Sequence, residues 1–445
     1  MLMLSRSLIQ RALRSMAGVT LGSLLLMGAP AQAQPRPSLS QLHQQLEALQ
    51  QQVTAQHTTI TAQQTALMAQ QTTITNLSTR LGLVEANPAL DLGPYVSVEL
   101  SPLDGLPGPH ILWTGANLHV RSGSGATDGA LTGRGNLLVG YNEASTGSGS
   151  HNLVVGQGHT FSSFGGMVAG NFNTISAPYA SVTGGTGNSA RGFGASVSGG
   201  SGNTASGPRS SVSGELANLA GGQNSSVSGG HANLARRVTA SVGGGDSNEA
   251  RNTSSSVHGG FANLASGEGS SISGGQNNVS SGPNSSISGG RTNLASGLTA
   301  SVSGGESNEA SGTAASGSGG LFNRASGQNS SVSGGRTNLA SGAQASAGGG
   351  SSNEASNSSS SVCGGMFNLA SGEGSSISGG TANESRGNSS SISGGTNNRA
   401  LGLISSVGGG NQNTANGDVS TVSGGSGRVA NGSQDWVGGG LFQEN

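Results

Sequence analysis

Charge is what this sequence most conspicuously lacks. Asp, Glu, Lys and Arg together make up 8% of 445 residues, and the formal net charge is −1. Without a basic patch there is no electrostatic footprint for nucleic acid. Aromatic residues are 3% and apolar residues 32%, too few for the core that a globular chain of this length would bury. Disorder usually brings high net charge, which is missing too. The single cysteine, Cys363, excludes a disulfide framework and stands where the repeated unit most often has Ser.

Glycine is present in excess, with 82 residues, and much of it falls in register. From 182 to 445 the chain repeats Ser-Val-Ser-Gly-Gly-x-x-Asn-x-Ala-Ser-Gly-x-x-Ser every fifteen residues. Taking Val197 as reference, the positions from Val182 to Val437 number eighteen, of which sixteen are Val or Ile, among them Val212 and Val227. No insertion breaks the count, so each repeat is expected to be one turn of a stacked array.

Each repeat position then has a physical reading. The Val/Ile row, the Ala eight residues later and the Ser or Ala thirteen later form a narrow interior. Gly199 and Gly200 begin a corner where a side chain would obstruct the chain or its neighbour. The Gly ten residues after Val, replaced only by Arg237, Asn252 and Asn357, is expected to adopt positive φ. Asn recurs six residues after Val in sixteen consecutive turns from Asn188 to Asn413, including Asn203, Asn218, Asn233, Asn248 and Asn263. Stacked Asn side chains bonding to one another along the axis would fix register. Eighteen turns rising about 4.8 Å each give a rod of roughly 85 Å. The array also copies itself: Asn263 to Ile272 recurs at Asn368 to Ile377, a shift of seven whole turns.

Ahead of the array the chain changes character several times. Arg6, Arg11 and Arg14, an apolar run from Ala17 to Met27 and Ala31-Gln32-Ala33 read as a secretory signal peptide over 1–33. A retained membrane anchor is the alternative, but the apolar run is short for a span. A linker, 34–38, leads into 39–86, where one seam is Leu39, Leu46, Val53, Ile60, Leu67, Ile74, Leu81 and the other Leu42, Leu49, Gln56, Gln63, Gln70, Leu77, Val84. Seven unbroken heptads predict a left-handed, parallel coiled coil. Gln56, Gln63 and Gln70 fall in three successive layers. Three chains can close a ring of Gln around the axis, so a homotrimer is favoured over a dimer. Asn87-Pro88 ends the helix.

Region 87–135 reads as a β-containing transition that caps the array, and 136–181 as irregular first turns. Trp436 and Phe442, in the last turn, read as plugs for the core. His110, His119, His151 and His159 match no standard ligand spacing and read as exposed strand and turn residues. No metal site, cofactor site or catalytic residue is assigned.

Ser196-Val197-Ser198-Gly199-Gly200 and Asn203-Thr204-Ala205-Ser206-Gly207, with the coiled coil and export signal, resemble the trimeric autotransporter adhesins of bacteria. The resemblance covers 136–445 and implies an all-β solenoid, a parallel β-roll with fifteen-residue turns, behind a trimeric stalk. Two departures stand out. The strand's second apolar residue is Ser or Gly here, and the C-terminal stretch shows no membrane barrel, so no integral anchor is expected. The leading expectation is a non-enzymatic exported fibre, secreted or at a bacterial cell surface, binding a cell-surface, glycan or matrix ligand. The alternatives are a passive spacer or coat fibre, and an ice- or mineral-binding solenoid using the outward Ser rows that flank Val.

Overall fold

The computed structural model describes residues 38–438; the signal-peptide reading, most of the linker and Phe442 lie outside them. The chain divides into two units, Met1–Asn117 and Leu118–Asn445.

In the first unit α1 spans Leu39–Glu85. It starts at a capping box: the Gln41 N–H donates to Ser38 Oγ (3.3 Å), and the Ser38 N–H donates to Gln41 Oε1 (3.0 Å). Pro88 follows the C-terminus and opens a 3-10 turn, Pro88–Leu92, capped by Asn87. No residue of α1 is buried. Beyond it, β1 (Val96–Glu99) pairs antiparallel with β2 (His110–Trp113), Val96 opposite Trp113 and Glu99 opposite His110.

The second unit is a parallel β-solenoid of about twenty turns. One sheet stacks twenty-one short strands of the Ser196–Val197 kind, and the other twenty of the Thr204–Ala205 kind. Register advances one turn at a time, Val197 opposite Val212 and Ala205 opposite Ala220. A third ladder of single bridges, Ser201 to Leu216 to His231 and onward, runs along the corner between the sheets. The opening turns are irregular: Leu137, Leu153, Met167 and Ser181 are successive partners, giving turns of sixteen, fourteen and fourteen residues before fifteen becomes constant. Leu138 stands at the core position of the first rung and is 47% exposed.

Packing follows the two-residue period of a strand. Val197, Val212 and Val227 are buried, with Ala205 and Ser210 completing each narrow layer. Two turns are underfilled, with Gly317 and Ala347 in the Val row. A Cβ on Gly317 would find Val302 Cγ2, at 3.9 Å, as its nearest neighbour. Gly317→Val should therefore fill unused space and add about 1–2 kcal/mol of stability. A raised midpoint in chemical denaturation would bear this out, and a lowered one would show the site already closed.

The corners differ from the sequence expectation. The Gly ten residues after Val does not take positive φ; apart from the second Gly of the pair, the left-handed residues fall five and twelve after Val. Those positions hold ordinary side chains, such as Ala217 (φ 57°), Thr299 (55°), Ile404 (54°) and Val419 (57°). A left-handed residue costs roughly 1 kcal/mol or more, but here it turns its N–H back to the preceding turn. Ala217 donates to Ser201 O and Asn224 to Pro208 O, both at 2.9 Å, whereas strand N–H groups such as that of Ser196 point forward, to Ser210 O. Stacking bonds thus override the local preference. Gly207 is needed for a different reason: a Cβ would stand 1.9 Å from the carbonyl oxygen of Gly222 in the next turn. Where Asn replaces it, Asn252 and Asn357 donate through Nδ2 to the next turn, at Ser266 O and Ser371 O.

Candidate functional site

The most regular polar feature is the buried Asn row. Asn233, with no exposed surface, shows its geometry. Its N–H donates to Asn218 Oδ1 (3.0 Å), and its own Oδ1 accepts from the Asn248 N–H (3.0 Å). Its Nδ2 donates to Gly229 O (2.8 Å) and Gly245 O (2.9 Å). Asn203, Asn218, Asn248 and Asn263 are held in the same way. The row therefore bonds side chain to backbone, and not chiefly amide to amide as expected. Asn263 Nδ2 to Asn248 Oδ1, at 3.2 Å, is one of the few direct contacts. The reason is the corner itself, whose carbonyls point inward and claim the amide hydrogens. Gly200 sits at that corner with φ 80°, and a Cβ there would meet Glu215 O at 2.1 Å and Asn203 Nδ2 at 2.6 Å. Gly199 has no atom within 4 Å of where its Cβ would stand, so only the second glycine of the pair is obstructed.

Upstream the row is completed by a residue that sequence reasoning placed at the surface. His159 is fully buried. Its N–H donates to Asn142 Oδ1 (2.8 Å), the Asn173 N–H donates to Nδ1 (3.2 Å), and Nε2 donates to Val155 O (2.9 Å). The ring performs both tasks of the Asn amide, which requires the neutral Nε2–H form. The shorter turns ahead of the regular register hid this from a fifteen-residue alignment. His151 is partly exposed and braces a loop, its Nε2 accepting from the Ser122 N–H (3.0 Å); His110 is half-buried and His119 exposed. At the far end the Arg428 N–H takes the Oδ1 of Asn413, and the row stops.

The buried Ser row is less well satisfied. Ser270 Oγ donates to Gly267 O (2.8 Å), yet Ser210, Ser330, Ser375 and Ser405 leave a buried hydroxyl without a partner. Ser330→Ala should raise stability by about 1 kcal/mol, because the alanine removes an unmet polar group. Ser270→Ala, which loses a made bond, should not; denaturation of the pair separates the two cases.

Outside, the Ser before each Val forms an unbroken, half-buried row from Ser181 to Ser406, and Thr421 and Trp436 follow it. Trp436 is 70% exposed, so it does not plug the core; it occupies an outward strand position that Ser fills elsewhere. Phe164, Tyr179 and Phe193 stack edge-to-face at one corner of the early turns, with ring centroids 5.4 and 5.6 Å apart. Glu249 is gripped by Arg251 (2.8 Å) and Arg236 (2.5 Å), and the Arg251 hydrogen bond holds its carboxyl below the usual range. Among the described residues no group of three or more His, Cys, Asp or Glu is placed to hold a metal ion.

On α1 the seam residues Leu42, Leu46, Leu49, Val53, Ile60, Leu67, Ile74, Leu77, Leu81 and Val84 are between 50% and 64% exposed. Gln56, Gln63 and Gln70 lie on the same helix, also exposed.

Comparison with known protein families and with characterised proteins finds no match. Among the described residues no helix is long and apolar enough to cross a membrane.

Proposed function

We propose that the chain is an exported, self-associating fibre of the adhesin type. Its helix forms a parallel trimeric coiled coil, and its solenoid presents a lateral surface to a cell-surface, glycan or matrix ligand. The observation that carries this reading is α1: forty-seven residues, none buried, with an apolar seam open along its length. Helices in water draw most of their stability from packing an apolar face, so this one calls for partners. A seam of the same composition on each copy supplies them. Gln56, Gln63 and Gln70 fix register, and a three-chain ring lets each amide meet its neighbours.

The ligand surface is assigned to side chains that stacking does not use. Phe164, Tyr179 and Phe193 are rigid aromatic anchors of the type that concentrates binding energy. No catalytic step is assigned to any residue.

Light scattering on residues 34–445 tests the oligomer, with three times the chain mass expected. A monomer at micromolar concentration would remove the trimer, and twice the mass would put a dimer in its place. Labelled protein should bind cells, glycans or matrix above a shuffled-array control, and a Phe164→Ser, Tyr179→Ser, Phe193→Ser variant should lose most of that signal. Binding no better than the control would leave the passive-fibre reading standing. The unbroken Ser row from Ser181 to Ser406 favours a second reading, ice or mineral binding. Thermal hysteresis in the purified protein would select it.

A further inference from the structure

The bridged corner four residues after each Val places its apolar side chains at the same levels in both directions from one turn. From the turn of Arg291, moving outward in the two directions, the levels are Gln276 and Glu306, Phe261 and Leu321, Asp246 and Arg336, His231 and Ser351, Leu216 and Met366. Apolar residues thus stand two and five turns out on both sides. Leu216, Phe261 and Met366 are open to solvent, 45–48% exposed, Leu321 is half-buried, and Phe322 and Phe367, one residue further round the same corner, are 52% and 60% exposed. At the third level an acid stands on one side and a base on the other. Asp246 is held by Ser247 and His231, and Arg336 is exposed with no carboxylate partner among the described residues.

We propose that this corner is a docking surface for a second copy of the chain, running antiparallel about a two-fold axis at the turn of Arg291. An isologous contact requires a self-complementary strip, and this strip meets that requirement at the second, third and fifth levels on each side of the axis. Leu216 faces Met366 and Phe367, and Phe261 faces Leu321 and Phe322. Asp246 faces Arg336 twice, once on each side of the axis. At the centre each Arg291 is already paired with Glu306 of its own chain, which removes the clash of two like charges.

The two parallel alignments that match residues fit less well. In parallel register Asp246 would face Asp246 and Arg336 would face Arg336. A parallel stagger of seven turns matches only Leu216 with Leu321 and Phe261 with Met366, and leaves Asp246 opposite Ser351. The internal duplication by seven turns accounts for the spacing of the apolar levels. It does not account for the acid and base, since it would map His231, and not Asp246, onto the turn after Leu321.

The strip covers eleven turns, and the ten rises between them span about 48 Å at about 4.8 Å each. With a width of roughly 10 Å it buries on the order of 500 Å² per chain, at the low end for specific interfaces. The contact is therefore reversible and sensitive to salt. It does not depend on the stalk, because an antiparallel partner must come from a different fibre.

Charge reversal on the full chain provides the test. Wild type should show a concentration-dependent step beyond the stalk oligomer in sedimentation velocity, weakened by salt. Asp246→Arg alone and Arg336→Asp alone should each reduce that association by at least about tenfold, since like charges then meet twice. Mixing the two separately purified variants should restore it, because each acid again faces a base. In a Cys363→Ser background, Arg291→Cys should cross-link to its own copy on oxidation and Ser201→Cys should not. No step beyond the stalk oligomer, single variants that associate like wild type, a mixture no better than its components, or equal cross-linking at both positions would each overturn the proposal.

Discussion

Replacing Asn233 with alanine should destabilise the surrounding turns by about 3–5 kcal/mol. The side chain makes three bonds to buried backbone, and the loss is not shared evenly among them. Gly245 O keeps a partner, since it also accepts from the His231 N–H at 2.9 Å. The Asn248 N–H and Gly229 O lose the partner that Asn233 supplied. Each orphaned group costs about 1–3 kcal/mol, and the emptied volume adds to it. Turns contact only their neighbours, so the damage is local, and the array should fray at the substituted turn while distant turns stay intact. Amide exchange is the appropriate measurement, because long repeat arrays depart from two-state unfolding. The Asn248 amide should lose most of its protection, and that of Asn398, ten turns away, should not. Asn233→Asp sharpens the test. It keeps an acceptor for the Asn248 N–H but cannot donate to either carbonyl, and it places a carboxylate in a site with no cation. It should be at least as damaging as alanine. An aspartate tolerated better than alanine would mean that the row acts through its acceptor alone.

The parallel solenoid and its fifteen-residue turn were legible because a strict repeat leaves one economical solution. Identical residues stack on identical residues, and the Val/Ile and Ala rows must then be interior. What could not be read was the direction of individual N–H groups. Thr299, Ile404 and Val419 have no intrinsic reason to be left-handed; they are so because their amides bond to the turn behind. Nor does a repeat distinguish a glycine needed for its φ from one needed for its lack of a side chain, and Gly207 is of the second kind. His159 escaped for a related reason. Its role belongs to the Asn row, but the shorter turn that holds it falls outside the regular count. Surface chemistry was the least legible. Stacking constrains the invariant positions and leaves the outward ones to vary, so the order of side chains along a corner emerges only once the turns are aligned in space.

The glycine pair provides the second large effect, and it separates two residues that the sequence treats as equals. Gly289 and Gly290 are neighbours in the Gly-Gly pair of one turn. At Gly289 no atom lies within 4 Å of the position a Cβ would take, and nothing in the structure explains a glycine there. At Gly290 φ is 84°, and the Cβ would stand 2.2 Å from Gly305 O and 2.5 Å from Asn293 Nδ2. Gly290→Ala therefore combines a left-handed penalty of about 1 kcal/mol with overpacking of about 1–3 kcal/mol. It also pushes aside the amide that bonds Gly289 O and Gly305 O, both at 3.0 Å. The expected total is about 3–4 kcal/mol, against less than about 1 kcal/mol for Gly289→Ala. Glu215 is the one natural exception at this position in the regular turns, and it adopts φ 62°, so the conformation survives a side chain where the next turn yields. The comparison is best made by exchange at the Asn308 amide, which donates to Asn293 Oδ1. Equal protection in the two variants would mean that the corner is not held by the close approach of successive turns, and the contact between Gly290 and Gly305 would lose its role in setting the rise of the array.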